Sequence, residues 1–132
     1  MPGVPLIAIV DDDDSLRSSL ENLIRSFGFG AQTFPSAEAF LSWRQARDTA
    51  CLILDVRMPG TNGLDLQRQM ISENWRVPIV FITSHADDHA KARALEDGAV
   101  AFLYKPCREE DLLNAIEAAL GQTRAEEARR PS

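Results

Sequence analysis

The sequence predicts an α/β fold with a central parallel β-sheet. Its 132 residues are enough for one domain of ordinary size. Short apolar runs alternate along the chain with segments of helical periodicity, which makes five strand–helix units in strict order. Such alternation is typical of parallel strands that are joined by right-handed crossovers and covered by helices on both faces of the sheet.

Three of the predicted strands are apolar at nearly every position. They are LIAIV (6–10), CLILD (51–55) and PIVFIT (78–83). An unbroken apolar run is expected of a strand that is buried on both faces of a sheet. AQTF (31–34) and VAFLY (100–104) complete the set as shorter strands with weaker patterns.

Between the strands, apolar residues recur at the spacing of amphipathic helices. Ser36 and Asn62 stand where helix N-caps are expected, and Gly28 where a helix ends. In the third helix we expect Leu64, Met70 and Ile71 to be buried. The five predicted helical segments are 15–28, 36–45, 62–72, 87–98 and 108–121.

The composition excludes several classes of function. With 45% apolar and 26% charged residues, the chain can build a core and is not disordered by composition. Its net charge of −6 argues against unaided nucleic-acid binding, which needs a basic face. No apolar run approaches the roughly 18 residues of a membrane span, and the N-terminus does not resemble a signal peptide. We therefore expect a cytoplasmic protein without a membrane partner.

The two cysteines do not predict a metal site or a redox motif. Cys51 lies in an apolar strand and Cys107 in a loop, and their spacing forms no CxxC pattern. We expect both to be reduced thiols.

The run IVDDDD (9–14) places four carboxylates directly behind the first strand. At about 4 Å and an effective dielectric constant near 20, one contact between like charges costs roughly 4 kcal/mol. Solvent, a bound cation or helix amides must therefore offset the repulsion. Asp13 and Asp14 fit the loop and the first turn of the next helix, where acidic residues are favourable. Asp11 and Asp12 are left as candidate site residues.

In an open α/β sheet, ligands bind beyond the carboxyl ends of the strands, where the strand order reverses. The first strand ends at Asp11 and Asp12, the third at Asp55 and the fourth at Thr83, and Lys105 follows the fifth. This set suits a Mg²⁺-dependent phosphoryl site. Mg²⁺ prefers oxygen ligands, and it would offset both the carboxylate repulsion and the charge of an incoming phosphoryl group. The ammonium and the hydroxyl could each contact a phosphate oxygen.

Four segments resemble the receiver domain of bacterial two-component response regulators. They occur in the family's order and together span nearly the whole chain up to about Leu120. The resemblance implies a flavodoxin-like (βα)5 fold, a doubly wound parallel sheet with strand order 2-1-3-4-5. It also implies a phosphorylation-controlled signalling switch, not a metabolic enzyme, with only intrinsic autophosphorylation and autodephosphorylation. The segments are IVDDD, LILDVRMPGTNGLDL, PIVFITSHAD and GAVAFLYKPC.

The resemblance implies roles for the site residues. Asp55 would accept the phosphoryl group from a sensor histidine kinase. Asp11, Asp12 and Asp55 would bind Mg²⁺, with Asp12 as the more direct ligand of the acidic pair, and Mn²⁺ is expected to substitute. The backbone carbonyl of Arg57 would be the third protein ligand. Arg57 and His85 would flank the site and tune the access of the hydrolytic water.

Further positions match the parts that would transmit the signal. Thr83 matches the hydroxyl that moves toward the phosphate, and Lys105 the lysine that pairs with it. Phe102, three residues before that lysine, matches the aromatic switch position. The Lys105–Pro106 bond is expected to be cis. Phosphorylation would change the face formed by the fourth helix, fifth strand and fifth helix.

DVRMPGTNGL (55–64) and His85 look most like receivers of nitrogen-fixation-type transcription regulators, which carry a helix-turn-helix output. No DNA-binding helix follows here, so we expect a receiver at 1–121 and a C-terminal tail or linker stub at 122–132. The implied partners are a sensor histidine kinase, a second copy of the chain on phosphorylation, or a missing output domain. Direct contact of this domain with nucleic acid is not expected.

Two alternatives belong to other functional classes. One is a pseudo-receiver that is never phosphorylated, although such domains usually lose an acid or the lysine, and this sequence keeps them. The other is a Mg²⁺-dependent aspartyl phosphatase, whose DxDx[TV] pattern is not matched because DDDDS lacks the Thr or Val.

Overall fold

The computed structural model describes residues 4–58, 60–84 and 87–129, with side chains through Gln122. Five parallel strands form one sheet in the order β2-β1-β3-β4-β5, which confirms the predicted fold. The strands are β1 (Leu6–Val10), β2 (Gly30–Phe34), β3 (Cys51–Leu54), β4 (Ile79–Thr83) and β5 (Ala101–Tyr104). The helices are α1 (Asp14–Ser26), α2 (Ala37–Leu41), α3 (Gly63–Ser72), α4 (Asp88–Glu96) and α5 (Glu109–Arg129), with a short 3-10 helix at Ala46–Asp48.

Each face of the sheet has its own hydrophobic core. Along β1, Ile7 and Ile9 face one core, and Ala8 and Val10 face the other, because successive side chains of a strand point to opposite faces. The first core is completed by α1 and α5 and the second by α2, α3 and α4. The strands β1, β3 and β4 are buried on both faces, which is the reason predicted for their unbroken apolar runs.

The predicted helix caps are present. The hydroxyl of Ser36 accepts a hydrogen bond from the Ala39 amide at 3.1 Å, and the Asn62 side chain accepts one from the Asp65 amide at 2.9 Å. Gly28 ends α1 with a φ of +96°, in the left-handed region that glycine enters without strain.

The second helix is shorter than the predicted segment 36–45. It ends at Leu41, where the Ser42 hydroxyl donates to the Glu38 carbonyl at 2.9 Å. The Ser42 amide also donates to the Glu38 carbonyl, at 3.0 Å, so both donors of Ser42 share one acceptor at the end of the helix. Trp43 then turns inward and packs against Phe34, with ring centroids 5.1 Å apart.

The prediction that Ile71 is buried was wrong. Ile71 is 51% exposed, whereas Gln67 is 2% exposed and occupies the inner face of α3. The Gln67 amide donates to the Ala94 carbonyl of α4 at 3.0 Å, a partner that allows a polar side chain in the core. Met70 is buried as predicted.

The fifth helix continues into the segment predicted as a tail, and its backbone is helical as far as Arg129. Within the described part of the chain, no helix is both long enough and apolar enough to cross a membrane. Both cysteines are free thiols, and burial raises the pKa of Cys51 to about 12.

Gly63 lets α3 begin directly against the chain that follows β3. Its amide donates to the Val56 carbonyl at 2.8 Å. A Cβ atom on Gly63 would lie 2.2 Å from the Asp55 carbonyl oxygen and 3.1 Å from the Phe81 ring. The first obstacle is backbone directly after β3 and the second is a buried ring of β4, so neither can move aside easily.

We predict that Gly63→Ala lowers the free energy of unfolding by about 3 kcal/mol, the upper part of the usual cost of overpacking a core. Urea denaturation measures this loss. Gly121→Ala in α5 is the matched control, because a Cβ there meets nothing within 4 Å and alanine is the better helix former. Equal stability of the two variants would contradict the steric account.

Candidate functional site

The sheet ladder places Asp11 and Asp55 side by side. Val10 of β1 pairs with Leu54 of β3, and each strand is followed at once by an aspartate. The Asp55 amide donates to the Val10 carbonyl and the Asp11 amide to the Phe34 carbonyl, both at 3.1 Å. The ladder therefore runs one residue past each strand and holds both carboxylates at the same edge.

Lys105 reaches this edge from β5. Its amide donates to the Thr83 carbonyl at 2.8 Å, and its peptide bond to Pro106 is cis. The ammonium lies 2.9 Å from Asp11 Oδ2 and 3.2 Å from Asp55 Oδ2. One lysine thus joins the ends of three strands, because β1, β3 and β5 all finish at this edge.

Three carboxylates form the acidic part of the site. Asp11, Asp12 and Asp55 each offer an oxygen within 4.8 Å of the others. Asp11 and Asp55 are 1% and 6% exposed, whereas Asp12 is exposed to solvent. The second oxygens of the buried pair accept backbone amides, Asp11 Oδ1 from Asp13 at 2.9 Å and Asp55 Oδ1 from Arg57 at 3.3 Å.

The electrostatics of the buried groups reflect this crowding. Burial raises the pKa of Asp55, the charge of Asp11 raises it further, and Lys105 offsets only part of the change. Burial alone would lower the pKa of Lys105, but the hydrogen bond to Asp11 and the charges of both aspartates raise it instead. The lysine is therefore held as a cation, and the raised pKa of Asp55 makes it harder to ionise than an ordinary aspartate.

The two remaining aspartates of the run have structural partners. Asp13 is the N-cap of α1 and accepts the Leu16 amide at 3.1 Å, which agrees with the predicted place of Asp13 and Asp14 at the start of the helix. Asp14 forms an ion pair with Arg17. The other nitrogen of that guanidinium donates to the Asp11 carbonyl at 2.7 Å. We did not predict Arg17, although its position three residues after Asp14 is the usual spacing of a helical ion pair.

The site opens into a polar cleft of about 420 Å³. Arg57 lines it, and its exposed guanidinium lies 4.0 Å from Asp87. Ser84, which is exposed, and Met58 also line it, and neither was singled out as a site residue. Asp11, Asp12, Asp13, Asp55 and Lys105 complete the lining. His85, the other residue predicted to flank the site, lies outside the described residues.

The predicted switch residues, Thr83 and Phe102, are buried and are not among the residues that line the cleft. Thr83 is the last residue of β4 and is 1% exposed. Phe102 is 7% exposed and contacts two rings, Phe81 at 5.8 Å and Tyr104 at 5.6 Å between centroids. Its ring is therefore directed into the core formed by α2, α3 and α4.

The loop after Asp55 is anchored by a distant residue. The Glu38 carboxylate of α2 accepts the Thr61 amide at 3.3 Å. Hydrogen bonding from the Thr61 hydroxyl, above all, lowers the pKa of Glu38. A contact across 23 positions leaves no local signal, so the sequence pattern could not reveal it.

The donor set fits a hard divalent cation. All three converging side chains present carboxylate oxygens, the ligand type that Mg²⁺ prefers. The three carboxylates carry more negative charge than Lys105 can balance. A cation would offset both causes of the raised pKa of Asp55, its burial first and then the charge of Asp11.

Residues 7–117 match the family of the response regulator receiver domain. The chain belongs to this family. Its receiver domain is a signalling domain of two-component response regulators, as the sequence resemblance implies.

Curated relatives share this receiver. Nodulation protein W of Bradyrhizobium diazoefficiens is 44% identical over 119 residues, which cover 90% of this chain and 52% of the relative. Response regulator protein TodT of Pseudomonas putida is 46% identical over 87% of this chain and 51% of the relative. Transcriptional regulatory protein FixJ of B. diazoefficiens is 39% identical over 88% of this chain and 57% of the relative. The chain thus spans about half the length of the curated relatives it matches.

Solved structures agree with the receiver fold. Response regulator StyR superposes with a TM-score of 0.87 at 43% identity, covering 96% of this chain and 64% of that one. The FixJ-N structure superposes with a TM-score of 0.81 at 34% identity, covering 92% of this chain and 96% of that one.

We predict that Asp55→Asn stabilises the metal-free receiver. Because the pKa of Asp55 is raised by folding, its contribution to stability is fully present below the ordinary carboxyl pKa and is lost as the pH rises through the folded pKa. At neutral pH the ionised group is therefore unfavourable, and replacing it with Asn should add on the order of 1 kcal/mol.

Urea denaturation in EDTA at several pH values measures this effect, and the advantage of the variant should shrink as the pH falls. Asp65→Asn is the control, because exposed Asp65 lies in the first turn of α3, where its charge is favourable. A less stable Asp55→Asn variant at neutral pH would contradict the electrostatic account.

Proposed function

We propose that Asp55 accepts a phosphoryl group from the phosphohistidine of a sensor histidine kinase. The observation that carries this proposal is a nearly buried carboxylate at the end of β3 that lines an open polar cleft beside an ammonium. An Asp55 oxygen would form a bond to phosphorus while the bond from phosphorus to the donor imidazole breaks. The electron pair of the broken bond returns to the imidazole nitrogen.

Asp11, Asp12 and Asp55 are the side chains proposed to hold Mg²⁺, with the Arg57 backbone carbonyl as a further ligand. Their convergence within 4.8 Å supports this assignment. The bound cation would neutralise charge on the transferred group. Mn²⁺, which also accepts oxygen ligands, is expected to substitute.

Lys105 is proposed to exchange partners during the transfer. Its ammonium now bridges Asp11 and Asp55, and the bond to Asp11 is the shorter of the two. Once Asp55 carries a phosphoryl group, the lysine can keep Asp11 and pair with a phosphoryl oxygen. Its raised pKa keeps it protonated for this role.

Thr83 and Phe102 are proposed to carry the signal away from Asp55. Thr83 stands at the end of β4, next to the strand that ends in Asp55, and its hydroxyl would bond to the phosphoryl group. Phe102 of β5 pairs with Phe81 of β4, and their rings are in contact. A displacement of β4 would therefore shift the surroundings of the Phe102 ring. The face of α4, β5 and α5 would then change toward a partner. Moving such an element from mostly off to mostly on needs about 5.5 kcal/mol of differential interaction.

We propose a receiver at 1–121 that is followed by a linker, into which α5 continues. The matched residues cover 51–57% of the relatives' own length, and one relative is named a transcriptional regulatory protein. The proposed outputs are a homodimer on phosphorylation or control of an output domain.

We predict that acetyl phosphate with Mg²⁺ adds one phosphoryl group to the wild-type chain and none to Asp55→Asn, because the amide cannot act as the acceptor. Intact-mass spectrometry measures the gain. EDTA should abolish it, and Asp65→Asn, which removes an exposed carboxylate elsewhere, should retain it.

An equal gain by Asp55→Asn would overturn the assignment of the acceptor. No gain from acetyl phosphate or from phosphorylated histidine kinases would instead favour a pseudo-receiver that acts through binding alone.

A further inference from the structure

Arg17 closes the β1–α1 loop with two contacts. One guanidinium nitrogen donates to the Asp11 carbonyl at 2.7 Å, and the other contacts the Asp14 carboxylate. The Arg17 side chain is 16% exposed, although it belongs to a surface helix. It therefore links the residue before Asp12 to the start of α1 through one planar group.

These contacts leave Asp12 between anchored neighbours. The carbonyl of Asp11, which belongs to the Asp11–Asp12 peptide, is held by Arg17, and the next amide, of Asp13, donates to Asp11 Oδ1 at 2.9 Å. Asp13 in turn caps α1. The backbone on both sides of Asp12 is thus fixed, while its carboxylate stays exposed at the rim of the cleft.

We propose that Arg17 is a positioning residue that holds the Asp12 carboxylate ready for the divalent cation. The inference rests on the proposed function, in which Asp11, Asp12 and Asp55 bind Mg²⁺. Groups that orient metal ligands typically change metal affinity by about 10- to 100-fold when they are removed.

A purely electrostatic role for Arg17 would have the opposite sign. A guanidinium near a cation site repels the cation, so its removal would tighten Mg²⁺ binding. The ion pair with Asp14 already offsets that charge. Loss of positioning weakens binding instead, so the direction of the change separates the two roles.

Arg25 provides a matched control on the same helix. Its guanidinium also joins a backbone carbonyl and an acidic side chain, donating to Ala31 at 2.6 Å and pairing with Glu21 at 3.2 Å. Arg25 is in the last turn of α1, at the opposite end from Asp12. Arg25→Gln therefore removes the same kinds of contact without touching the site.

The test is calorimetric titration of Mg²⁺ into wild type, Arg17→Gln, Arg17→Lys and Arg25→Gln. We expect both Arg17 variants to bind Mg²⁺ about tenfold more weakly, because lysine keeps the charge but lacks the fork that makes both contacts. Arg25→Gln should match wild type. Circular dichroism and thermal melts check that each variant is folded.

Two further measurements separate positioning from a general loss of structure. In the phosphorylation reaction with acetyl phosphate, the half-saturating Mg²⁺ concentration should rise about tenfold in Arg17→Gln, with the rate at saturating Mg²⁺ unchanged. In metal-free protein, the Asp13 amide should exchange with solvent faster in both Arg17 variants, while amides in β3 exchange as in wild type.

Unchanged or tighter Mg²⁺ binding by Arg17→Gln, or wild-type binding by Arg17→Lys, would overturn the positioning role. If wild type is phosphorylated with Mg²⁺ and the Arg17 variants bind the ion normally, only this inference fails. If wild type binds no Mg²⁺, the proposed metal site fails and this inference with it.

Discussion

The contact of the Lys105 ammonium with Asp11 and Asp55 is the interaction on which the rest of the site depends. It joins residues that are 94 and 50 positions apart in the chain, and it forms because β1, β3 and β5 are parallel and end at one edge. Both carboxylates are buried, and a buried charge without a partner is strongly unfavourable. The strand order brings the three charged groups together, and the lysine offsets part of the cost of burying the two carboxylates.

One ammonium does not balance the negative charge of three carboxylates, and the three acids differ in how they tolerate the excess. Burial, and then the charge of Asp11, raises the pKa of Asp55, and Asp12 stays in solvent. Behind the site, Asp13 caps α1 and Asp14 pairs with Arg17, so half of the acidic run belongs to the helix start. What remains is a concentrated negative charge at an open cleft. In the proposed function, a divalent cation would offset the acids and a phosphoryl group would pair with the lysine.

The fold could be predicted from the sequence because β1, β3 and β4 are apolar throughout and the helix caps are local. The acidic site could be predicted because its residues directly follow strand ends. The exposure of Ile71 follows from Gln67 reaching α4, a tertiary contact that the local pattern does not contain. The early end of α2 coincides with a Ser42 hydroxyl bond to Glu38, which is local, and with Trp43 packing on Phe34, which is tertiary. The contact of Glu38 with the loop after Asp55 could not be predicted, because it joins residues 23 positions apart. Arg17 had a local signal in its spacing from Asp14, yet its bond to the Asp11 carbonyl depends on the shape of the loop.

The uncompensated acidic charge at this edge should form a divalent-cation site in the folded receiver. The most direct measurement is the free energy of unfolding as a function of Mg²⁺ concentration, with NaCl controls at equal ionic strength. A site that exists only in the folded state predicts a rise of about 1.4 kcal/mol for each tenfold increase in Mg²⁺ above its dissociation constant, and a much smaller rise in Asp12→Asn. Stability that does not change with Mg²⁺ in the wild-type chain would contradict the account.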